Sequence, residues 1–252
     1  MLTKDVAICI RVVDFSETSQ IVTFFAKATG KISVIAKGSK RAKSSFDGPI
    51  EMLCFGAIVF SNSTKEKLAT LTEFESAYGG PGFASLSQNL LTLNCGLFAA
   101  ELVNHLTNDY DPHPELFDNF LQFLQSANEQ RAMGDGRRDM LGLLIVFQLA
   151  LLKEVGLRPI LNACANCKSD FHEGWPESYF SSSANGLVCR DCEASFADKI
   201  RLTRDAAVCL ANLKQLAESR EKTLNEIEKV LVSHFTQLLH YAPKMAKHVL
   251  ES

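Results

Sequence analysis

The sequence predicts an α+β protein in which a small β-barrel precedes an α-helical domain with an embedded cysteine module. Three observations carry this prediction. Apolar residues recur with a period of two over about the first 75 residues and with a helical period after residue 85. Gly79-Gly80-Pro81-Gly82 interrupts regular structure between these two regions. Two C-x₂-C pairs then interrupt the helical region.

Composition and charge exclude several classes of protein. The 252 residues are 46% hydrophobic and 22% charged, which argues against an intrinsically disordered chain. A net charge of −3 excludes a uniformly basic nucleic-acid coat but leaves room for a local basic face. The longest apolar run, Met140–Leu152, contains Gln148 and is shorter than the roughly 20 residues that span a bilayer. The N-terminus lacks a signal-peptide pattern, so we expect a cytoplasmic protein in a reducing compartment, with no membrane segment.

Residues 1–80 predict five short strands. Alternating or β-branched residues mark them in the segments Val6–Val12, Ile21–Phe25, Lys31–Lys37, Ile50–Phe60 and Leu68–Phe74. Gly56 lies inside the fourth strand and predicts a bulge or a sharp bend. Five strands of this length favour a closed or nearly closed barrel. The pattern alone leaves an OB-fold, an SH3-like barrel and a small sandwich open.

Residues 81–252 predict a helical domain. Helical spacing of apolar residues indicates helices over about 86–100, 116–127, 139–155, 203–218 and 223–238. The first is marked by Leu86, Leu90, Leu93, Leu97 and Ala100. The third is apolar nearly all round, which predicts central burial, and Gly156 ends it. Thr223-Leu224-Asn225-Glu226 predicts a capping box at the start of the last.

Two cysteine pairs within residues 160–200 predict a metal site. Cys164 and Cys167 form one C-x₂-C turn, and Cys189 and Cys192 form the other after 21 intervening residues. Two such turns facing each other complete a tetrahedral shell, and Zn²⁺ suits four thiolates. Disulfides and an iron–sulfur cluster are the alternatives, and His172 is close enough in sequence to substitute for one ligand. Because four thiolates leave no open position, the expected role is structural. The remaining cysteines, Cys9, Cys54, Cys95 and Cys209, are expected to be buried free thiols.

A basic run in the barrel predicts nucleic-acid binding. No acidic residue lies between Glu17 and Asp47, an interval that holds Lys27, Lys31, Lys37, Lys40, Arg41 and Lys43. Lys31 and Lys37 share a strand face by their even spacing, and residues 38–45 continue as a basic loop. Such a surface can follow a phosphate backbone. The candidate DNA-binding residues are Lys31, Lys37, Lys40, Arg41 and Lys43. The alternative is a solvated charged loop.

Motifs of several enzyme classes are absent from the sequence, so we predict a non-enzymatic protein. Phe25 and Ile32 occupy positions that a P-loop around Gly30-Lys31 would need as glycine and Ser or Thr. No G-x-S-x-G elbow or complete dinucleotide fingerprint is present. A zinc-ribbon transcription or RNA-processing factor is the alternative function, although no recognition helix is evident. A metal-dependent hydrolase would need an open metal position and a nearby general base.

Several segments together resemble a known family. Ser16-Glu17-Thr18-Ser19, Gly30-Lys31 and the stretch from Ala36 to Ser44 are similar to the N-terminal signature of the bacterial RecO recombination mediators. The segment from Leu151 to Pro159, followed by the two C-x₂-C pairs, resembles the middle of the same family. In order and spacing these segments cover nearly the whole chain.

The resemblance implies an N-terminal OB-fold, an α-helical domain and an embedded zinc module. It implies a role in recombinational DNA repair, in the bacterial cytoplasm and near the nucleoid. RecO proteins bind single- and double-stranded DNA, anneal complementary strands, and work with RecR to load the recombinase RecA onto strands coated by single-strand-binding protein (SSB). By position, Lys37, Lys40, Arg41 and Lys43 match the family's DNA-binding stretch, and the four paired cysteines match its metal site.

The resemblance also implies a contact with the SSB tail. That tail is acidic and ends in an apolar residue, so it needs an apolar pocket rimmed by basic groups. The C-terminal helices combine apolar stripes with basic residues, and we expect the tail to bind there. The basic candidates are Arg201, Arg204, Lys214, Arg220, Lys222 and Lys229. Lys168 departs from the family pattern, because it stands where the family often has a glycine after the first cysteine pair.

Overall fold

The chain forms two compact units, Met1–Glu129 and Gln130–Ser252. The computed structural model describes residues 2–41, 44, 46, 48–61, 68–77, 86–129 and 136–251. The first unit holds the predicted barrel and also the first two helices, so the boundary between the two compact units lies beyond residue 80. The division into domains 1–80 and 81–252 stays a prediction. Over the described residues, no helix has the length and apolarity needed to cross a membrane.

Five strands form the closed barrel of the first unit. They are β1 (Leu2–Asp14), β2 (Gln20–Ala26), β3 (Gly30–Ala36), β4 (Phe55–Ser61) and β5 (Ala69–Ser76). Their order around the barrel is β1-β2-β3-β5-β4. All neighbours are antiparallel except β3 and β5, which pair in parallel. This confirms the predicted small barrel, with an order consistent with the OB-fold.

Alternation along the strands fills the barrel with apolar side chains. In β3, Ile32 and Val34 point into the core while Lys31 and Ser33 are less buried. The predicted bulge at Gly56 is wrong, because the irregularity lies further along β4, between Val59 and Phe60. A Cβ at Gly56 would collide with the carbonyl of Glu75 on β5. Glycine is therefore needed there for close approach of two strands.

The helices occupy positions close to those predicted, with one exception: the helix predicted over about 203–218 ends at Ala211, and a separate short 3₁₀ helix over Leu213–Glu218 follows it. In the first unit they are α1 (Leu90–Leu106) and α2 (Pro114–Glu129); in the second they are α3 (Gly136–Glu154), α4 (Arg204–Ala211), α5 (Glu221–Leu239) and α6 (Ala246–Glu251). The stripe predicted for α1 is only partly correct, because Leu90 is 69% exposed and the fully buried face contains Phe98 and Leu102. A helix with apolar residues on most sides does not define its buried face by period alone.

One capping prediction is wrong. Helix α5 begins at Glu221, so Thr223 lies inside the helix rather than at its N-cap. Glu226 instead accepts hydrogen bonds from the backbone N–H (2.6 Å) and hydroxyl (2.7 Å) of Thr203. Thr203 is the N-cap of α4, and its hydroxyl accepts from the N–H of Ala206. The carboxylate therefore supports the start of a different helix from its own.

The cysteine module contains a small sheet that the sequence did not predict. Its strands are β6 (Ser178–Ser181), β7 (Gly186–Cys189) and β8 (Ile200–Leu202), in the order β7-β6-β8. Asp198 accepts hydrogen bonds from Ser181 and Ser183 in the turn between β6 and β7. Although partial burial opposes ionisation, these bonds hold the pKa of Asp198 below its usual value. The Ser-rich segment thus forms a defined hairpin turn.

Candidate nucleic-acid interface and metal centre

The structure brings Cys164, Cys167, Cys189 and Cys192 into one cluster. Their four Sγ atoms all lie within 4.8 Å of one another. The Sγ atoms of Cys167 and Cys189 are 3.8 Å apart. A tetrahedral zinc site with Zn–S bonds of about 2.3 Å places its sulfurs about 3.8 Å apart. The donor set and its spacing therefore fit a four-coordinate metal ion.

Two tight turns place these thiols. The N–H of Lys168 donates to the carbonyl of Cys164 (3.0 Å), and the N–H of Cys192 donates to that of Cys189 (3.1 Å). The N–H of Cys189, at the end of β7, also points at the Cys164 Sγ (3.5 Å). Lys168 adopts a left-handed backbone with φ of 65°. Glycine reaches this conformation without strain, whereas a residue with a Cβ does not.

The backbone around the cluster favours thiolate at Cys164. Burial opposes its ionisation, but N–H groups of Cys189, Cys167 and Asn166 lower the pKa of the thiol to about 6. At Cys189, burial and the neighbouring Cys192 thiol raise the pKa to about 12. Four thiols this close oppose one another's ionisation unless a cation lies between them. The arrangement can thus hold a metal ion.

The other sulfur and imidazole groups lie outside this cluster. Cys9, Cys54, Cys95 and Cys209 are buried free cysteines, as predicted. His172, the possible substitute ligand, is not part of the group of close donor atoms. Its Nδ1 accepts a hydrogen bond from the N–H of Gly174 (3.2 Å).

A basic turn follows β3 at one end of the barrel. Lys37, Lys40 and Arg41 all have exposed positions in it. Two hydrogen bonds fasten it to the β1–β2 connection: the N–H of Gly38 donates to the Ser19 hydroxyl (3.2 Å), and that of Lys40 donates to the Thr18 carbonyl (3.1 Å). The three cationic side chains are therefore held on a fixed backbone.

A buried glutamine anchors the same turn from inside. Gln20 is 4% exposed, and its Oε1 accepts from the Ser39 hydroxyl (2.8 Å) and from the Ile50 N–H (3.0 Å). Its Nε2 donates to the Ile50 carbonyl (3.2 Å). Sequence reasoning missed this residue. The available signal was a polar side chain just before the apolar run of β2.

The predicted basic residues do not all share one role. The Lys31 ammonium donates to the carbonyls of Asn104 and Thr107, each at 2.7 Å, at the C-terminal end of α1. Its side chain is only 13% exposed. These contacts give Lys31 a structural function in the first unit, where it satisfies helix-end carbonyls. Lys43 lies outside the described residues.

Some residues of the basic run form ion pairs and others do not. Lys27 pairs with Asp118 on α2 at 2.7 Å, and Lys40 pairs with Asp14 at 2.9 Å. Over the described part of the chain, Lys37 and Arg41 form no ion pair. Among the described residues, the turn therefore carries two cations without an ion pair and one whose charge is shared with the exposed carboxylate of Asp14.

Two of the surface cavities of the second unit differ in charge. One, of about 590 Å³, is lined by Val146, Leu149, Leu210 and Leu213, with Lys153 and Arg158 at its edge and no acidic residue. The other, of about 480 Å³, is lined by Trp175, Arg201 and Arg204 together with Glu173, Glu177 and Glu226. Arg201 and Arg204 pair there with Glu177 and Glu173. Of these two cavities, only the first lacks an acidic residue in its lining, although the ammonium of Lys153 lies 3.5 Å from the carboxylate of the adjacent Glu154.

Comparison with known proteins identifies the family. Residues 1–79 match Recombination protein O N terminal, and residues 87–245 match Recombination protein O C terminal. The DNA repair protein RecO of Rhodopirellula baltica is 32% identical over 219 residues, covering 87% of this chain and 77% of the relative. RecO of Bacillus subtilis is 31% identical over 195 residues, covering 76% and 69%, and RecO of Bacillus pumilus is 28% identical over 244, covering 94% and 89%. The chain therefore belongs to the RecO family of DNA repair proteins.

Proposed function

We propose that this protein is a DNA-binding recombination mediator. It binds single- and double-stranded DNA, anneals complementary strands, and helps load recombinase onto SSB-coated single strands. The observation that carries the proposal is the fixed basic turn of residues 37–41 on a RecO-family barrel. The protein acts by binding rather than by catalysis, among the chromosomal DNA of the bacterial cytoplasm.

The basic turn supplies contacts to phosphates. Lys37, Lys40 and Arg41 carry positive charge, and Arg41 can bind a phosphate through two N–H groups. Phosphate contacts position a nucleic acid but do not read its sequence. This suits a protein that must anneal strands of any sequence. Lys31 is left out of the proposed interface because its ammonium already serves α1.

The test is a charge-removal variant with a matched control. Lys37→Ala/Lys40→Ala/Arg41→Ala should weaken binding to a single-stranded oligonucleotide and reduce the slope of log K against log salt by about 2, roughly 0.7 per contact. Lys4→Ala/Arg11→Ala/Lys27→Ala removes three basic residues elsewhere in the same unit and should keep most of the affinity. Equal binding by the two variants, with both folded, would refute the assignment. A strand-annealing assay with and without SSB then tests the mediator role.

We propose that Zn²⁺ occupies the cysteine cluster and has a structural role. Four thiolates at this spacing suit zinc, and a complete set leaves no position for substrate. The ion would join the turn after Cys164 to the end of β7. Elemental analysis of the purified protein should give one zinc per chain, and no metal together with four reactive thiols would overturn the proposal.

We also propose RecR and the SSB C-terminal tail as partners. Of the two cavities, the one that contains Lys153 and Arg158 better matches an acidic tail that ends in an apolar residue, because its lining combines apolar walls with two cations and no carboxylate. Lys153 also pairs with Glu154, which lies outside this lining. Lys214, one of the basic residues expected from the sequence, directly follows Leu213 of this cavity. Arg201 and Arg204 are less suited, since glutamates neutralise them.

A labelled tail peptide distinguishes the two cavities. Lys153→Ala/Arg158→Ala should weaken peptide binding, whereas Arg201→Ala/Arg204→Ala should leave it nearly unchanged. The reverse pattern would assign the tail to the other cavity. Co-purification with RecR tests the second partner independently.

A further inference from the structure

Phe15 has an unusual position in the barrel. Among the phenylalanines that the structure describes, it alone is classed as exposed, with 60% of its surface accessible. Its ring lies in the connection between β1 and β2, next to Asp14 at the end of β1. Most large apolar side chains of this unit are buried. Exposing this ring to water is therefore unfavourable in free energy, and contacts within the fold do not offset it.

The backbone around Phe15 is fixed and joined to the basic turn. The N–H groups of Phe15 and Ser16 both donate to the Ser19 carbonyl, at 3.0 and 3.2 Å. Ser19 and Thr18 in turn accept from the N–H groups of residues 38 and 40. The ion pair between Asp14 and Lys40 adds a third link. The exposed ring and the three cations therefore belong to one surface, the barrel lip, formed by residues 14–19 and 37–41.

We propose that Phe15 stacks on an unpaired base of a nucleic acid whose phosphates are bound by the basic turn. This inference rests on the proposed DNA-binding function and names the class of ligand. Aromatic side chains bind single strands by stacking, whatever the base, and each stacked base contributes roughly 1–3 kcal/mol. Bases in a duplex are already stacked on one another and do not offer a free face. The ring therefore favours single-stranded over double-stranded DNA.

The charges of the barrel lip are consistent with this geometry. The lip also carries two acidic residues, of which Asp14 is paired with Lys40 and Glu17 is exposed. Carboxylates repel phosphates, so the strand places its backbone along residues 37–41 and its bases toward residues 14–19. Phe15 is the aromatic residue on that acidic side.

Base removal separates stacking from phosphate binding. Phe15→Ala should weaken binding of a 20-nucleotide oligothymidine roughly five- to 100-fold, while duplex binding of the full-length protein changes little. Against an abasic oligonucleotide of the same length, wild type and Phe15→Ala should bind equally. Phe15→Trp should restore affinity for oligothymidine and show fluorescence quenching beyond that of wild type. Tyr110→Ala removes an aromatic ring that is 58% exposed in the same unit and should bind normally.

The outcomes distinguish this inference from the proposed function. If Phe15→Ala binds oligothymidine as wild type does while the Lys37→Ala/Lys40→Ala/Arg41→Ala variant is weakened, stacking is wrong and the DNA interface stands. If neither variant is weakened, the proposed interface itself is wrong. Equal loss of affinity for the abasic and normal strands in Phe15→Ala would also overturn stacking, since the ring would then act on the fold of the lip.

Discussion

The barrel and the cysteine module reach an ordered structure by different means. The barrel buries a continuous set of apolar side chains from all five strands, including Phe24, Ile32 and Phe60. The buried cluster beside the thiols of the module consists of Cys164, Tyr179 and Val188, with partly buried residues packed around them, and Phe180, Leu187 and Leu202 of its small sheet are also buried. Cys164 in that cluster is itself a proposed metal ligand.

The difference shows what a metal contributes to a small fold. Burial of apolar surface stabilises a domain by about 25 cal/mol per Å², and the module, which buries fewer apolar side chains than the barrel, gains less from it. Hydrogen bonds to Asp198 and the sheet β6–β8 give the module a defined backbone. We infer that a bound ion supplements the smaller apolar core of the module, whereas the barrel needs none.

Removing the metal site should produce the largest effect and confine it to the module. Structural zinc contributes on the order of 10 kcal/mol to the folding of small zinc domains. Cys189→Ser should therefore lose zinc, and amides of residues 160–202 should lose protection from hydrogen exchange. Amides of β1–β5 should remain protected.

Two comparisons check this prediction. Cys209→Ser changes a buried cysteine outside the cluster and should keep its zinc. Loss of protection in the barrel as well as the module would mean that the two regions do not differ as inferred.

A cavity created in the barrel should lower the stability of the protein without releasing zinc. Phe24 is fully buried, and its ring centroid lies 5.8 Å from that of Phe74. Phe24→Ala should destabilise the protein by about 3–5 kcal/mol in denaturant unfolding, with one zinc per chain retained. Phe15→Ala, at an exposed position, should cost less than about 0.5 kcal/mol. Loss of zinc from folded Phe24→Ala would contradict the independence of the two regions.

A buried carboxyl group between helices of the second unit should have an effect of intermediate size on the free energy of unfolding. Burial raises the pKa of Glu228 to about 7, although a hydrogen bond from Gln148 (2.8 Å) and the charge of Arg137 oppose the shift. Because the folded protein holds this proton more tightly than the unfolded chain, the stability contribution falls as pH rises from about 4.5 through 7.

Glu228→Gln removes that dependence. The variant should be more stable than wild type at pH 8 by on the order of 1–3 kcal/mol, with a smaller difference at pH 5. Denaturant unfolding at both pH values measures this, and Glu251→Gln, at an exposed position, is the control. A gain that is the same at both pH values would assign the effect to packing rather than ionisation.

The smallest expected effect concerns a single turn at the metal centre. Lys168 has a left-handed backbone, which costs a residue with a Cβ about 1 kcal/mol or more. Lys168→Gly should raise the midpoint of chelator-induced zinc release and stabilise the module by about 0.5–1 kcal/mol. Lys168→Ala keeps the strain while removing the ammonium that donates to the Ala165 carbonyl (2.7 Å), so it should not stabilise. Equal stabilisation by both variants would show that backbone strain at residue 168 is not the cause.

Much of the architecture could be predicted from the sequence. Five strands, the spans of α2 and α3 and the four clustered cysteines follow from side-chain period and from C-x₂-C spacing, which are local properties. Gly156 ends α3 as predicted, with φ of 77°. The strands β6–β8 were missed because they are only three or four residues long. Segments that short do not establish a period.

Roles that depend on distant partners could not be predicted. Lys31 and Lys37 look equivalent in the basic run, but only Lys31 lies near the carbonyls of Asn104 and Thr107, more than 70 residues away in sequence. The spacing predicts that Glu226 caps its own helix, yet its carboxylate accepts hydrogen bonds from Thr203, the N-cap of α4. Both side chains are long enough to reach several partners, so the choice is made by which element packs beside them.

The sequence by itself determined the five strands of the first unit, the order of the helices, the two cysteine pairs and the family, because each is encoded in local pattern or in similarity along the chain. Only the tertiary structure decided which cations remain available and which groups fix them. In the sequence nothing distinguishes Gln20 and Ser39 from other polar residues, and it is the closed barrel that brings them together. Their hydrogen bond forms because burial leaves each without water, and that is what holds the basic turn in place.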